Sequence, residues 1–177
     1  PIGIGERETG GSTVTKPFAG TFDGKNHKIS GLKLTAGLDG QGLFGCSSGT
    51  IGNLGIVRGN ISVGSAERIG AICGYSTGTI ENCWNSADIT GSTEGGKYVG
   101  GICGYSTGTI YGCLNMGDIT ANSFIGGICG NTAQSTQISN CFNSGSITGK
   151  EQIGGIAGIN LNYITFCINA GELTGEE

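Results

Sequence analysis

The sequence predicts an all-β chain wound as a parallel β-solenoid of about five to six coils, each 26–30 residues long with three short strands. Three observations carry this. One segment recurs five times at nearly constant spacing. The recurring apolar runs are short and built from β-forming residues. The 38 glycines of the 177 residues sit at fixed places in the repeat instead of being scattered.

The recurring segment is Gly101-Ile102-Cys103-Gly104, with copies at Gly42-Leu43-Phe44-Gly45, Ala71-Ile72-Cys73-Gly74, Gly127-Ile128-Cys129-Gly130 and Gly155-Ile156-Ala157-Gly158. The spacings are 29, 30, 26 and 28 residues. Such a period is the signature of a stacked repeat architecture. Each copy continues alike: an isoleucine (Ile51, Ile80, Ile110, Ile138, Ile164), then Leu54, Cys83, Cys113, Cys141 or Cys167. Four copies next carry an asparagine (Asn85, Asn115, Asn143, Asn169), and all close on Ile61, Ile89, Ile119, Ile147 or Leu173. Length varies mainly after the following threonine, where Gly91 to Lys97 is the longest insertion. Runs of three to five Ile, Val, Thr, Cys and aromatic residues, broken by Gly, Ser and Asn, suit strands and are too short for helices.

Stacking explains the composition. Equivalent residues of adjacent coils lie about 4.8 Å apart in a parallel stack. Identical aliphatic residues pack well at that distance, and identical charges repel. Charged residues are accordingly only 12% of the chain, about half the common share. A column of asparagines can form an amide ladder, each side chain bonding the next. Glu67 and Lys97 fall at the same place in adjacent copies and are expected to be neighbours.

The net charge of −4 and the scatter of nine Lys and Arg exclude a nucleic-acid or anionic-membrane footprint. No apolar run approaches the roughly 18 residues of a membrane span, so no direct membrane insertion is expected. The chain begins at Pro1 and stops at Glu176-Glu177, and it reads as a piece of a longer exported polypeptide. The expected division is an N-terminal extended, capping segment at 1–17 and a single solenoid over 18–177.

The stretch Phe18-Ala-Gly-Thr-Phe-Asp-Gly-Lys-Asn-His-Lys-Ile-Ser-Gly-Leu32, followed by Gly-Leu-Phe-Gly and the Gly-Gly-Ile-Cys-Gly copies, resembles the GLUG-repeat family. Pro1-Ile2-Gly3 fits the tripeptide that often precedes this stretch in the family. The resemblance covers nearly the whole chain. It implies a right-handed β-helix in large, exported, often bacterial surface proteins, beside peptidase or adhesin-like regions that include those of immunoglobulin A peptidases. It implies no catalytic residues.

Eight cysteines in an exported chain would suggest disulfides. Their columns say otherwise. Cys83, Cys113, Cys141 and Cys167 share a place with Leu54, and Cys73, Cys103 and Cys129 share one with Phe44 and Ala157. A column that accepts Leu, Phe or Ala is an apolar core column, where a free thiol behaves as a small hydrophobe; Cys46 lies outside both. No Cys-x-x-Cys pair occurs and His27 is the one histidine, so no metal site and no cofactor are expected. His27, in the turn-like Asp23-Gly24-Lys25-Asn26-His27, is far in sequence from the cysteine columns and is not read as catalytic.

Two features could carry function. Asp88 and Asp118 share a repeat position with Ser146 and Glu172, and two stacked carboxylates approach the separation found in retaining glycosidases; the plainer reading is a pair of solvated turn residues. Tyr75 and Tyr105 share a column with Cys46, Asn131 and Ile159, and Tyr111 stands where Glu81 does in the preceding copy. If outward, these three tyrosines form a stacking platform for sugar or peptide; the plainer reading is structural corner tyrosines. Trp84, Leu114, Phe142 and Ile168 form a more apolar column, expected in the core.

The sequence therefore predicts a non-catalytic surface module at the cell surface or outside the cell. It would be a rigid spacer or adhesin-like scaffold within a larger exported protein. Expected partners are host or bacterial surface glycans or proteins and neighbouring domains of the same polypeptide, with no nucleic acid among them. The alternative is a carbohydrate-active β-helix enzyme, a polysaccharide lyase or glycoside hydrolase, using acidic residues.

Overall fold

The computed structural model describes residues 2–8, 11–35 and 39–175. Pro1 of the expected N-terminal tripeptide, and Glu176 and Glu177, lie outside the described residues. The described residues form β-strands stacked in parallel into sheets of ten, six, five and four strands, plus one two-stranded antiparallel hairpin, Ile4–Glu8 with Gly11–Lys16. The stack is a β-solenoid, and its register is the one the repeats dictate.

One coil shows the plan. Lys97–Gly100 and Cys103–Ser106 come first, then Thr109–Tyr111 and Leu114–Asn115, then Ile119–Thr120. Five short strands per coil stand in place of the expected three: the stretch through Gly-Gly-Ile-Cys-Gly is an arch of two strands, and a kink divides Thr109–Tyr111 from Leu114–Asn115. The arch strands fold back around a buried turn at Gly101-Ile102. The fold-back depends on glycine: a methyl on Gly104 would collide with the backbone of Arg68 and Ile69 one coil away, and one on Gly101 with the side-chain amide of Asn115. Between Thr109–Tyr111 and Leu114–Asn115 the chain kinks through a left-handed residue, Gly112 here and Asn82 or Asn140 in the neighbouring coils, types that tolerate φ > 0.

The core is made of columns. Ile51, Ile80, Ile110 and Ile138 pair in sequence register and are each fully buried, with Ile164 ending the column at 36% exposure. Ile72, Ile102 and Ile128 stack at the buried turn of the arch, linked by backbone bonds such as Ile102 N to Ile128 O at 3.1 Å. Ile61, Ile89, Ile119 and Ile147 form the third column, closed by Leu173. Each buried isoleucine contributes roughly 1.5–3 kcal/mol of transfer free energy. Glu67 and Lys97 are direct register partners in adjacent coils, as the repeat alignment expects.

The cysteines fill the columns assigned to them. Phe44, Cys73, Cys103, Cys129 and Ala157 follow one another in register, and all eight cysteines are free thiols. The asparagine column is the expected ladder. Asn85, Asn115 and Asn143 are fully buried, and each Nδ2 donates to the next Oδ1, at 2.9, 2.8 and 2.7 Å, ending on Asn169.

The Trp84 column is a correction. Trp84, Leu114, Phe142 and Ile168 stack in register, but they face outward: Phe142 is 37% and Ile168 61% exposed. Alternation forces this. Cys83 and Asn85 on either side of Trp84 both point into the core, so a strand with a period of two must send the residue between them to solvent.

The first coil closes the stack differently. Ile2 N donates to Leu43 O at 2.7 Å and Gly45 N donates to Ile2 O at 2.9 Å. Phe18 N donates to Cys46 O at 2.9 Å. The hairpin thus leaves and re-enters one strand layer. Phe18 and Phe22 then pack on Phe44, with ring centroids 5.1 and 5.3 Å away.

Candidate binding face

Tyr75 lies on the strand Cys73–Ser76 and Tyr105 on its register partner Cys103–Ser106. Their rings are 5.5 Å apart at 47° and both are partly exposed. Two aromatics that the sequence reading did not single out extend the pair. Tyr98, on the other strand of the arch, meets Tyr105 edge-on at 6.1 Å and 88°. Phe124, one coil further, stacks on Tyr98 at 4.7 Å and 27°. Four aromatic rings therefore run together along three coils, in the offset and edge geometries that aromatic pairs prefer.

The backbone explains how Tyr98 and Phe124 come to face outward. Arg68, Tyr98, Phe124 and Gln152 hold the same place in successive coils, each with φ between 52 and 62°: 62, 57, 56 and 53° respectively. Left-handed backbone is uncommon for bulky residues, and here every coil imposes it. It turns these side chains out of the arch while the next residues, Ile69, Val99 and Ile125, stay fully buried. A sequence signal existed: in each copy the residue before the buried aliphatic is polar or aromatic.

Tyr111 is 44% exposed but sits on Thr109–Tyr111, in a different sheet, in register with Glu81 and Ser139. The described residues show no ring contact between it and the cluster. Tyr75 and Tyr105 are thus brought together and Tyr111 is set apart. Burial leads the causes that raise the Tyr75 phenol above its ordinary acidity range, and the positive charge of Arg68 works weakly against it. The face thus sets partly exposed rings beside the Arg68 cation.

The acidic pair is differently engaged. Asp88 Oδ1 accepts the backbone N–H of Asp118 at 3.0 Å, and Asp118 Oδ1 accepts that of Ser146 at 2.8 Å. Each carboxylate ties its coil to the next. In the first coil, Asp23 Oδ1 accepts from Asn53 Nδ2 at 3.0 Å and from Lys25 N at 2.9 Å. These bonds, the Asn53 amide first, hold the Asp23 carboxyl below the usual carboxylate range. Among the described residues no three His, Cys, Asp or Glu side chains gather as a metal ion would require.

Comparison with known proteins gives two likenesses. No family model matches the chain. Over 82 residues, 45% of this chain, it is 34% identical to halomucin of Haloquadratum walsbyi (strain DSM 16790 / HBSQ001), a match spanning 1% of that protein. Among solved structures it is similar to a candidate immunoglobulin A1 protease from Bacteroides ovatus, with a TM-score of 0.56 and 20% identity over 88% of this chain and 68% of that one. At that identity the second likeness concerns the fold alone: the β-solenoid is shared with a solved protein.

Proposed function

We propose that this chain is a non-catalytic repeat module of the cell surface, a rigid spacer that also binds through the aromatic ladder of Tyr75, Tyr105, Tyr98 and Phe124. The ladder is the observation that carries the reading. Other coils carry Arg68, Gln152 and Asn131 at these places, so the fold does not require rings there, whereas a stacking platform for sugars or peptides needs them. The likeness to the protein named halomucin supports placing the module in a long surface protein, and the sequence resemblance to GLUG repeats points the same way. Binding to a shallow face is weak per module and strengthens with repetition along a long polypeptide.

The test uses substitutions the fold already accepts elsewhere in the same columns. Tyr105→Asn copies Asn131, and Tyr98→Gln copies Gln152. On a glycan and peptide array, the wild-type chain should give signals that both variants lose at unchanged thermal stability. Signals that survive both variants would remove the ladder from the reading, and a silent wild-type array would leave the spacer alone.

A further inference from the structure

We propose a second binding site, separate from the aromatic ladder: a basic depression over the first coils that takes an anionic sugar residue of an acidic glycan. The depression has a volume of about 410 Å³ and is lined by Lys28, Ser30, Val57, Arg58 and Ser86. Register builds it. Lys28, Gly55 and Trp84 follow one another in one outward column, and Ser30 pairs with Val57 two residues along. Ser86 N donates to Ile56 O at 2.9 Å, which carries the second column on to the next coil.

Three features separate this place from the rest of the stack. First, it collects two cations on a chain of net charge −4, and no carboxylate lines it. Among the described residues neither Lys28 nor Arg58 has an acidic partner. Second, Arg58 follows directly on the strand Thr50–Val57 with left-handed backbone, φ 52°, at a place where the next coils carry the uncharged Ala87 and Gly117. Third, the chain's one tryptophan stands in the outward column of Lys28, two residues before Ser86. The Trp84 indole lies directly over Gly55, where any side chain would collide with it. The later coils carry Leu114, Phe142 and Ile168 where this place has Trp84, and Met116 and Ala170 in two of the three coils where it has Ser86. Departures from a locally consistent pattern are expected at functional sites.

The chemistry selects the ligand class. A guanidinium and an ammonium converge on one anionic group, carboxylate or sulfate, with the guanidinium able to bind it bidentately. Two serine hydroxyls offer exchangeable donor and acceptor positions for sugar hydroxyls. The indole offers a flat apolar surface to a pyranose ring. The volume suits one or two sugar rings. A peptide is the competing class: peptides dock on sheets by pairing with a free edge, and Thr21–Ser30, which carries Lys28 and Ser30, pairs among the described residues with Thr50–Val57 alone, so poly-glutamate enters the test below.

Because Trp84 is unique, its fluorescence reports on this site. The whole 177-residue chain is titrated with oligogalacturonate, heparin oligosaccharides, neutral maltohexaose and poly-glutamate. A saturable change is expected with at least one of the two acidic glycans. In Lys28→Gln/Arg58→Asn it should weaken about tenfold or more, the order expected for losing charge-assisted bonds. Asparagine is chosen at 58 because it tolerates left-handed backbone. Trp84→Leu, which copies Leu114, should weaken binding measured by calorimetry. Preference for galacturonate identifies the group as a carboxylate, and preference for heparin identifies it as a sulfate. Tyr105→Asn should leave this titration unchanged, so failure here and failure of the aromatic ladder are distinguishable. The proposal is overturned by no binding of either acidic glycan, by equal affinity in the double variant at unchanged thermal stability, by equal binding of maltohexaose, or by poly-glutamate binding as tightly as the glycans.

Discussion

The Asn115 side-chain amide donates to Asn143 Oδ1 at 2.8 Å and, with its other proton, to Gly117 O at 2.8 Å. Its own Oδ1 accepts from Asn85 at 2.9 Å. Both amide protons and the carbonyl are satisfied at zero exposure, so the ladder clamps three coils and closes a turn in each. Asn115→Leu would leave Asn85 a buried donor and Asn143 a buried acceptor without partners. The expected loss is about 2–5 kcal/mol in urea unfolding, since each unsatisfied buried group costs about 1–3 kcal/mol. Asn169 ends the ladder in solvent, and Asn169→Ala should cost less than about 1 kcal/mol. Equal losses at the two positions would contradict the ladder's role.

Position along the stack should govern aliphatic truncations in the same way. Ile102→Ala removes a fully buried side chain from the turn of the arch and should cost about 2–5 kcal/mol. Ile164→Ala acts on a side chain already 36% exposed in the last coil and should cost about 1 kcal/mol or less. Thermal melts of the two variants would show a shift several times larger for the first.

The contrast between what the sequence discloses and what it hides follows from this stacking. A column is visible in sequence because identical residues recur at the period. The Ile, Cys and Asn columns and the Glu67–Lys97 neighbourhood were therefore legible before any coordinates. The arch was not. Whether Gly-Gly-Ile-Cys-Gly runs straight or folds back depends on how closely two sheets approach, which only the packing of Gly101 against Asn115 and Gly104 against Arg68 reveals. Tyr98 and Phe124 are marked in sequence only by their place before a buried aliphatic, because nothing in an aromatic residue announces φ near 57°. Trp84 is apolar enough to suggest the core, but the alternation set by the buried Cys83 and Asn85 turns it outward. The basic depression leaves no mark in the repeat, because its cations do not recur: Gly55 and Trp84 follow Lys28 in its column, and Ala87 and Gly117 stand where the first coil has Arg58.

The thiols give a pH prediction. Burial pushes the Cys46 and Cys83 thiols up to about 11 from an ordinary value of 9.0, and it raises Cys103 and Cys129 well above that value. For these four each folded-state value lies above the unfolded one, while Cys141, lowered chiefly by its hydrogen bond with the Cys113 thiol, works the other way. Between the unfolded and folded values these four thiols therefore hold more protons in the folded chain than in the unfolded one, and the stability they contribute falls as pH rises. The contribution is fully present below about pH 9 and is progressively lost from there to about pH 11. Melting temperature should be flat from neutral pH to the mid-eights and fall steadily above 9, with the fall shallower in Cys83→Leu, which copies Leu54. A denatured, unreduced sample should titrate as eight thiols, and two or fewer would mean that disulfides form in the purified chain.

The last prediction concerns the carboxylates. An acid–base pair for glycoside hydrolysis needs one carboxyl free to give a proton and another free to attack or to activate water. Asp88 and Asp118 are stacked at the right order of separation, but each already accepts a backbone N–H from the next coil, Asp118 N at 3.0 Å and Ser146 N at 2.8 Å. Both are exposed to water. The nearby insertion is closed on itself, with Gly96 N donating to Ser92 O at 2.9 Å and Glu94 N to Ser92 Oγ at 3.1 Å. Asn in place of Asp keeps an oxygen for the same backbone bond. Asp88→Asn and Asp118→Asn should therefore each shift stability by less than about 1 kcal/mol. Neither variant nor the wild-type chain should release reducing ends from acidic or neutral polysaccharides. Turnover by the wild-type chain that disappears in both variants would make these residues catalytic and replace the binding module with an enzyme.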